Sequence, residues 1–220
     1  MGALEVYGLV AGYANADVLR GVGLGVGAGE CAAVVGPAGA GKTTLLRAVS
    51  GLLAPVRGRV LLDGDDVTGW PPERIAAAGL AHVPEGQRIF AGLSVAENLA
   101  LGAWTRRRGD AEADRDRVLG LFPRLRDRMG VRGDDLDAAD RHLLAIARGL
   151  MAAPSVLLLD GPFGGLDAAT TAEVGAALRR VRAGGGPAML LAERSPGVAR
   201  AVADRVYALE DGALRERGAP

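Results

Sequence analysis

The sequence predicts an α/β fold with an inserted helical segment, and three observations predict it. Cys31-Ala-Ala-Val-Val35 is a short continuous apolar run, as a strand buried on both faces requires. It feeds directly into a glycine-rich turn and then a helical pattern. Further apolar runs alternate with helical patterns towards the C-terminus, whereas roughly 88–152 shows little strand pattern. A length of 220 residues suits one α/β domain, or a core with a small inserted subdomain, and 49% hydrophobic against 24% charged residues allows a packed core.

Taken in order, the runs near 4–10 and 18–27 read as an N-terminal antiparallel β region, with Val22, Leu24 and Val26 alternating with glycine. Strand 31–35 follows, and Leu45-Leu-Arg-Ala-Val49 continues the turn as a helix. Further strands fit 58–62, 79–83, 155–160, 187–192 and 205–209. Helices fit 72–78, 94–101, 112–121, 140–152, 168–183 and 196–203. The expected division is a core of 1–87 and 153–220 with a helical subdomain of 88–152. Within the latter, the mixed charges from Thr105 to Arg117 read as a solvated loop and helix face.

Composition narrows the function. Lys plus Arg and Asp plus Glu are 26 each, and the zero net charge argues against a general nucleic-acid binder or a polybasic membrane anchor. The single cysteine, Cys31, excludes an intrachain disulfide and points to an intracellular chain. Two histidines, His82 and His142, cannot build a His-rich metal site. Met1 to Val10 carries Glu5 and lacks the basic start of a secretory signal. Leu143 to Leu159 holds Arg148 and Pro154, so it reads as helix, turn and strand, not as a membrane span. A membrane role is therefore expected only through a partner.

The chemistry is concentrated in Gly36-Pro37-Ala38-Gly39-Ala40-Gly41-Lys42-Thr43-Thr44, which contains the P-loop pattern GxxxxGK[ST]. Glycines let successive backbone N–H groups turn inward onto phosphate, and the following helix adds the positive end of its dipole. Lys42 suits the β- and γ-phosphates, and the Thr43 hydroxyl can ligate Mg²⁺. Lys42 is the only lysine; every other cation among the 26 is arginine, so the compact ammonium is kept for this position. Ser155-Val-Leu-Leu-Leu-Asp160 supplies the strand-ending acid that holds the Mg²⁺ shell in such sites.

Together these pieces, over nearly the whole chain, resemble the ATP-binding subunit of an ABC transporter, most closely the branched-chain amino-acid importer type. The likeness rests on Gly41-Lys-Thr-Thr-Leu-Leu-Arg-Ala-Val-Ser-Gly-Leu-Leu53, Asp63-Gly-Asp-Asp-Val-Thr-Gly-Trp-Pro-Pro-Glu-Arg-Ile75 and His82-Val-Pro-Glu-Gly-Gln-Arg-Ile-Phe90. Leu93-Ser-Val-Ala-Glu-Asn-Leu99 and Leu144-Ala-Ile-Ala-Arg148 add to it. The resemblance implies a P-loop core of ABC ATPase type, with ATP and Mg²⁺ as cofactors. It puts Tyr13 where an aromatic ring stacks on adenine. It puts Glu85 where the usual Gln touches Mg²⁺ and senses the membrane subunit, a position often Glu in this branch. Segment 86–100 would meet the pore. It also implies membrane-spanning permease partners, a second ATPase subunit in a homo- or heterodimer, no nucleic acid, and a place on the cytoplasmic face of the membrane.

Four departures from the family pattern bear on activity. The strand motif usually ends Asp-Glu and here ends Asp160-Gly161; a positioned base lost typically costs roughly 10²–10⁴ in rate, and glycine can supply none. The signature Leu-Ser-Gly-Gly-Glu-Gln is here Leu136-Asp137-Ala138-Ala139-Asp140-Arg141. Asp137 in the Ser position would face a γ-phosphate across the dimer, a repulsion of roughly 4 kcal/mol at 4 Å and an effective dielectric near 20. Asp137 is equally a good N-cap for the next helix. The switch position commonly held by His is Arg194, which could still hold a phosphate. The chain ends at Pro220, where importer subunits often run on a little further. The expectation is thus an importer subunit that binds Mg-ATP and hydrolyses it slowly or not at all. The alternative is a degenerate module acting as a nucleotide-binding regulatory or structural subunit. A P-loop kinase lacks an acceptor-substrate motif here, and His142 has no paired serine for a nucleophile triad.

Overall fold

In the computed structural model, residues 2–14, 16–86, 88–104, 106 and 108–217 are described. Met1 and 218–220 lie outside them, as do Thr105 and Arg107 of the mixed-charge stretch. Two sheets form the frame. Strands β1 (Leu4–Tyr13), β2 (Ala16–Val26), β4 (Arg57–Leu62) and the two-residue β5 (Asp65–Asp66) make an antiparallel sheet in the order β2-β1-β4-β5. Strands β3 (Cys31–Val35), β6 (Leu80–Val83), β7 (Val156–Asp160), β8 (Ala188–Glu193), β9 (Arg205–Glu210) and β10 (Ala213–Arg217) make the second sheet, ordered β10-β9-β3-β8-β7-β6. All its neighbours pair in parallel except β10, which returns antiparallel on β9.

The parallel sheet is the middle layer, which explains its continuous apolar strands. Side chains alternate between faces. Cys31, Ala33 and Val35 of β3, with Leu157 and Leu159 of β7, join a core shared with the helices of one side. Ala32 and Val34, with Val156 and Leu158, join a core shared with the antiparallel sheet on the other. Cys31 is fully buried, and that burial, with the Asp204 charge second, pushes its thiol up to about 12. It packs as a core side chain.

Helix α1 (Lys42–Val49) leaves β3 through the glycine-rich turn, and α2 (Pro72–Ala77) starts on a proline in its first turn. Between Val83 and Val156 the regular elements among the described residues are helices joined by turns and loops, and the one extended pairing is an isolated bridge, Ser94 to Arg132. They form α3 (Val95–Gly102), α4 (Arg108–Leu121), α5 (Pro123–Arg126) and α6 (Ala138–Leu150). Helix α3 begins in a capping box, Ser94 with Glu97, and α6 begins at the Asp137 cap. Leu99, Val118, Phe122 and Leu144 are buried in the same core as the β7 side chains, so the helical stretch and the sheet share one apolar interior. Helices α7 (Ala168–Ala183) and α8 (Pro196–Arg200) complete that side.

Candidate functional site

The site lies at the carboxyl ends of parallel strands, where α/β sheets open a crevice. Strand β3 ends at Val35 and gives way to 36–41; β7 ends at Asp160, β8 at Glu193, and the chain after β6 leads to Glu85. These ends border a cleft of about 720 Å³ that also takes in Tyr13, Lys42, Thr43, His142, Gly161 and Arg194.

Gly36, Pro37, Ala38, Gly39 and Ala40 form the turn, and Gly41 caps α1 in a left-handed conformation, φ 105°, with no side-chain cap. A β-carbon on Gly41 would lie 2.9 Å from Val18 Cγ1, so close packing and dihedral both require glycine. The uncapped first-turn N–H groups of α1 are donors available to an anion. Lys42 Nζ donates to the carbonyls of Gly36 and Pro37, each at 2.8 Å, which folds its ammonium back over the turn. Burial first, then the Arg194 charge, lowers its pKa, with Asp160, Glu193 and Glu85 opposing. Thr44 is buried beneath the turn.

Thr43 Oγ1 donates to Asp160 Oδ1 at 3.2 Å. Asp160 is 7% exposed, and burial raises its pKa, with the Glu85 charge acting the same way and Thr43, Arg47 and Lys42 opposing. A buried carboxylate of this kind gains from a cation beside it. A hydroxyl and a carboxylate are hard oxygen donors, the set Mg²⁺ prefers. Among the described residues no group of three or more His, Cys, Asp or Glu could hold a metal alone. That fits an ion completed by phosphate oxygens and water, which would neutralise phosphate charge there.

Tyr13 stands at the end of β1 on the rim, 45% exposed, its hydroxyl accepting from Arg47 Nη1 at 3.1 Å. Glu85 borders the same cleft as Thr43 and Asp160; Arg194 Nη2 is 3.6 Å from its Oε1, and its side chain lies over Gly161. Gly161 is left-handed, φ 59°, and its N–H donates to Ala192 O at 2.9 Å. Position 161 thus carries no side chain and a left-handed backbone; a larger residue there costs roughly 1–2 kcal/mol in strain.

The loop 136–140 is built differently from what its charge suggests. Asp137 caps α6, its Oδ1 accepting from Asp140 N at 2.8 Å, and its Oδ2 pairs with Arg124 Nη2 at 2.6 Å. Burial works to raise the Asp137 pKa, but the Asp140 N–H and the charges of Arg124 and Arg128 outweigh it, and the net shift is downward. Arg124 also reaches Glu173 at 2.8 Å and the fully buried Asp140 at 2.6 Å, while Arg128 faces Asp140 at 3.0 Å. The contacts to Asp140 are close charge pairs without hydrogen-bond alignment. Leu136 is buried, and Ala138 and Ala139 open the first turn of α6. The Asp137 charge is therefore already countered within the chain, which softens the repulsion expected of it.

Sequence reasoning missed two structural supports. Glu193 is buried at the end of β8 and accepts from the N–H groups of Arg194 and Ser195 at 2.6 and 3.4 Å, fixing the start of the segment after β8. Asn98 is fully buried; it accepts from Phe90 N at 2.8 Å and donates to the carbonyls of Phe90, Leu93 and Ser94, tying the loop after Glu85 to α3. The helix was expected over 94–101, but nothing in the sequence marked Asn98 as inward-facing.

With this geometry in view, the chain can be set beside known proteins. A profile of the ABC transporter family matches residues 19–164. The chain is 35% identical over 202 residues to the high-affinity branched-chain amino acid transport ATP-binding protein BraG of Pseudomonas aeruginosa, covering 92% of this chain and 86% of that one. It is 32% identical over 215 residues to the probable branched-chain amino acid transport ATP-binding protein LivF of Archaeoglobus fulgidus, covering 98% and 91%. It is also 35% identical over 221 residues to the sulfate/thiosulfate import ATP-binding protein CysA of Methylococcus capsulatus, covering 98% of this chain and 63% of that one. An ATP-binding cassette of an ABC transporter in its ADP conformation superposes with a TM-score of 0.90 at 21% identity, covering 100% of this chain and 92% of that one.

Proposed function

The chain belongs to the ABC transporter family as an ATP-binding subunit, and from that premise we propose that it binds Mg-ATP in the P-loop cleft and hydrolyses it slowly. The observation that supports this best is the joining of Lys42, on the uncapped start of α1, with the Thr43–Asp160 pair at the strand ends. The turn 36–41 and the α1 N–H groups hold phosphate, Lys42 leaves its loop carbonyls for the β- and γ-phosphates, and Thr43 and Asp160 hold the ion. Tyr13 stacks on the base. Slow turnover follows from Gly161, which offers no side chain to orient water.

The transported substrate is a branched-chain amino acid or a related small polar molecule, by likeness to the first relatives named. The likeness to a sulfate/thiosulfate importer keeps that assignment at the level of a lead. No helix among the described residues is long and apolar enough to cross a membrane. By likeness to importer ATP-binding proteins, the chain works on the cytoplasmic face through membrane-spanning partners. A second groove of about 310 Å³, bordered by Phe90, Leu101 and Trp104, suits a helix of such a partner. Trp104 is 83% exposed and Phe90 53%, and the Arg148 guanidinium sits 5.1 Å from the Phe90 ring centre. A second ATPase subunit, identical or not, closes the nucleotide site.

Calorimetry of the purified chain with Mg-ATP tests the reading. Lys42→Ala removes charge-assisted hydrogen bonds of about 1.5–3 kcal/mol, which weakens Kd by roughly 10- to 150-fold. An unchanged Kd would overturn the P-loop assignment. A second reading, a nucleotide-binding regulatory or structural module, is favoured by Gly161 and by Asp137 in the signature loop. It predicts tight binding with no phosphate release above the Lys42→Ala background.

A further inference from the structure

The slow turnover proposed above needs a group to take the proton of the attacking water, and Gly161 has none. Three acidic side chains border the cleft among the described residues: Asp160, Glu193 and Glu85. Asp160 is buried and engaged by the Thr43 hydroxyl. Glu193 is buried and turned onto the N–H groups of Arg194 and Ser195. The Glu85 side chain is 55% exposed and borders the cleft, and among the described residues its carboxylate faces the Arg194 guanidinium at 3.6 Å.

Its position is the second observation. A β-carbon placed on Gly161 would lie 3.5 Å from Glu85 Cγ and 3.7 Å from Glu85 Oε1. The carboxylate from the loop after β6 thus lies in van der Waals contact with the place where a side chain following Asp160 would begin. Gly161 is left-handed and carries no side chain of its own at this point, and Arg194 Nη2 lies 3.6 Å from the Glu85 carboxylate. Both members of that pair are largely exposed, so it orients the carboxylate more than it stabilises the fold.

We propose that Glu85 is the general base of this cassette, acting from the opposite side of the cleft across Gly161. This rests on the Mg-ATP reading given above. A water oxygen bonds to the γ-phosphorus as the bond from that phosphorus to the β–γ bridging oxygen breaks. The bridging electron pair leaves with ADP, the water proton passes to a Glu85 oxygen and then to solvent, and phosphate departs. No redox partner or further reactant is required. A carboxylate reaching in from a loop is held less firmly than one fixed on a strand end, so turnover is slow but not zero.

The test compares the full-length chain with Glu85→Gln, Glu85→Asp and Lys42→Ala. Three readouts are used: Mg-ATP Kd by calorimetry, phosphate release, and the identity of nucleotide retained after gel filtration. Glu85→Gln, isosteric and at an exposed position, is expected to keep the Kd while losing roughly 10²-fold or more in phosphate release. Its retained nucleotide is expected to be ATP, where the parent chain holds ADP. Glu85→Asp, a shorter carboxylate, falls between them. The proposal is overturned if Glu85→Gln releases phosphate at the parent rate, or if excess Mg²⁺ restores that variant, which would make Glu85 an ion ligand. It is overturned equally if the parent chain releases no phosphate above the Lys42→Ala background while still binding Mg-ATP. Failure of the parent chain to bind Mg-ATP, or a Kd indifferent to Lys42→Ala, removes the underlying reading instead.

Discussion

At the scale of single residues, the groups proposed to hold nucleotide were legible and their supports were not. Lys42, Thr43 and Asp160 sit in patterns whose residue types the chemistry fixes, so sequence alone placed them. Glu193 and Asn98 act through burial and backbone hydrogen bonds, and a lone Glu or Asn carries no mark of which way it points. His82 is a further case. It follows Leu80-Ala81 on β6, with Ser50 Oγ 3.1 Å from its Nδ1. Burial, and secondarily the Arg47 charge, lowers its pKa from 6.5 to about 4. The unfolded chain therefore binds one more proton than the folded chain between those values, and stability falls as pH falls through that window. At 1.36 kcal/mol per pKa unit the loss is roughly 2.5 kcal/mol by pH 4.5. Urea unfolding at pH 7 and pH 4.5 should show that His82→Gln loses less stability on acidification than the parent by about this amount. Equal losses would mean that His82 is already solvated in the folded chain.

At the scale of elements, strong periodicity was read correctly and short edges were missed. Strand 31–35 and helix 168–183 were placed at their observed ends because one is continuously apolar and the other long. The overlooked strands β5 and β10 each follow an Asp-Gly pair, Asp63-Gly64 and Asp211-Gly212, with all four residues at positive φ. Such pairs are the strongest short-range hairpin signal, and here they were passed over because the strands beyond them are too short or too charged to show alternation. Helix α6 shows the opposite situation, in which one residue serves two readings. Asp137 is both the helix cap and the residue that the resemblance puts in the signature position. Serine caps a helix about as well as aspartate, whereas alanine does not. Asp137→Ser should stay within about 0.5 kcal/mol of the parent in urea unfolding, and Asp137→Ala should lose about 1 kcal/mol. If Ser is as damaging as Ala, the Arg124 pair and not the cap holds the start of α6, and the charge at 137 is a structural necessity.

At the scale of the whole molecule, the layered arrangement determines what nucleotide binding does to stability. The turn after β3, the ends of β7 and β8 and the loop after β6 converge on one cleft, so a single ligand ties together four segments far apart in sequence. Those segments spring from the sheet whose two faces line the two apolar cores. A ligand bound there therefore reports on the global unfolding of the chain, not on one loop. Binding to the folded state alone adds about 2.7 kcal/mol at a ligand concentration 100 times Kd. For a chain of this size, each kcal/mol moves Tm by roughly 2–4 °C, so saturating Mg-ATP should raise Tm by roughly 5–11 °C. Thermal unfolding monitored by far-UV circular dichroism checks this. Lys42→Ala should shift far less at the same nucleotide concentration, and a chelator should remove most of the parent shift, because Asp160 and Thr43 are proposed to act on the nucleotide through the ion. A shift of the same size in the presence of chelator would show that the turn and Lys42 bind phosphate unaided, leaving the Thr43–Asp160 pair to the chemical step alone.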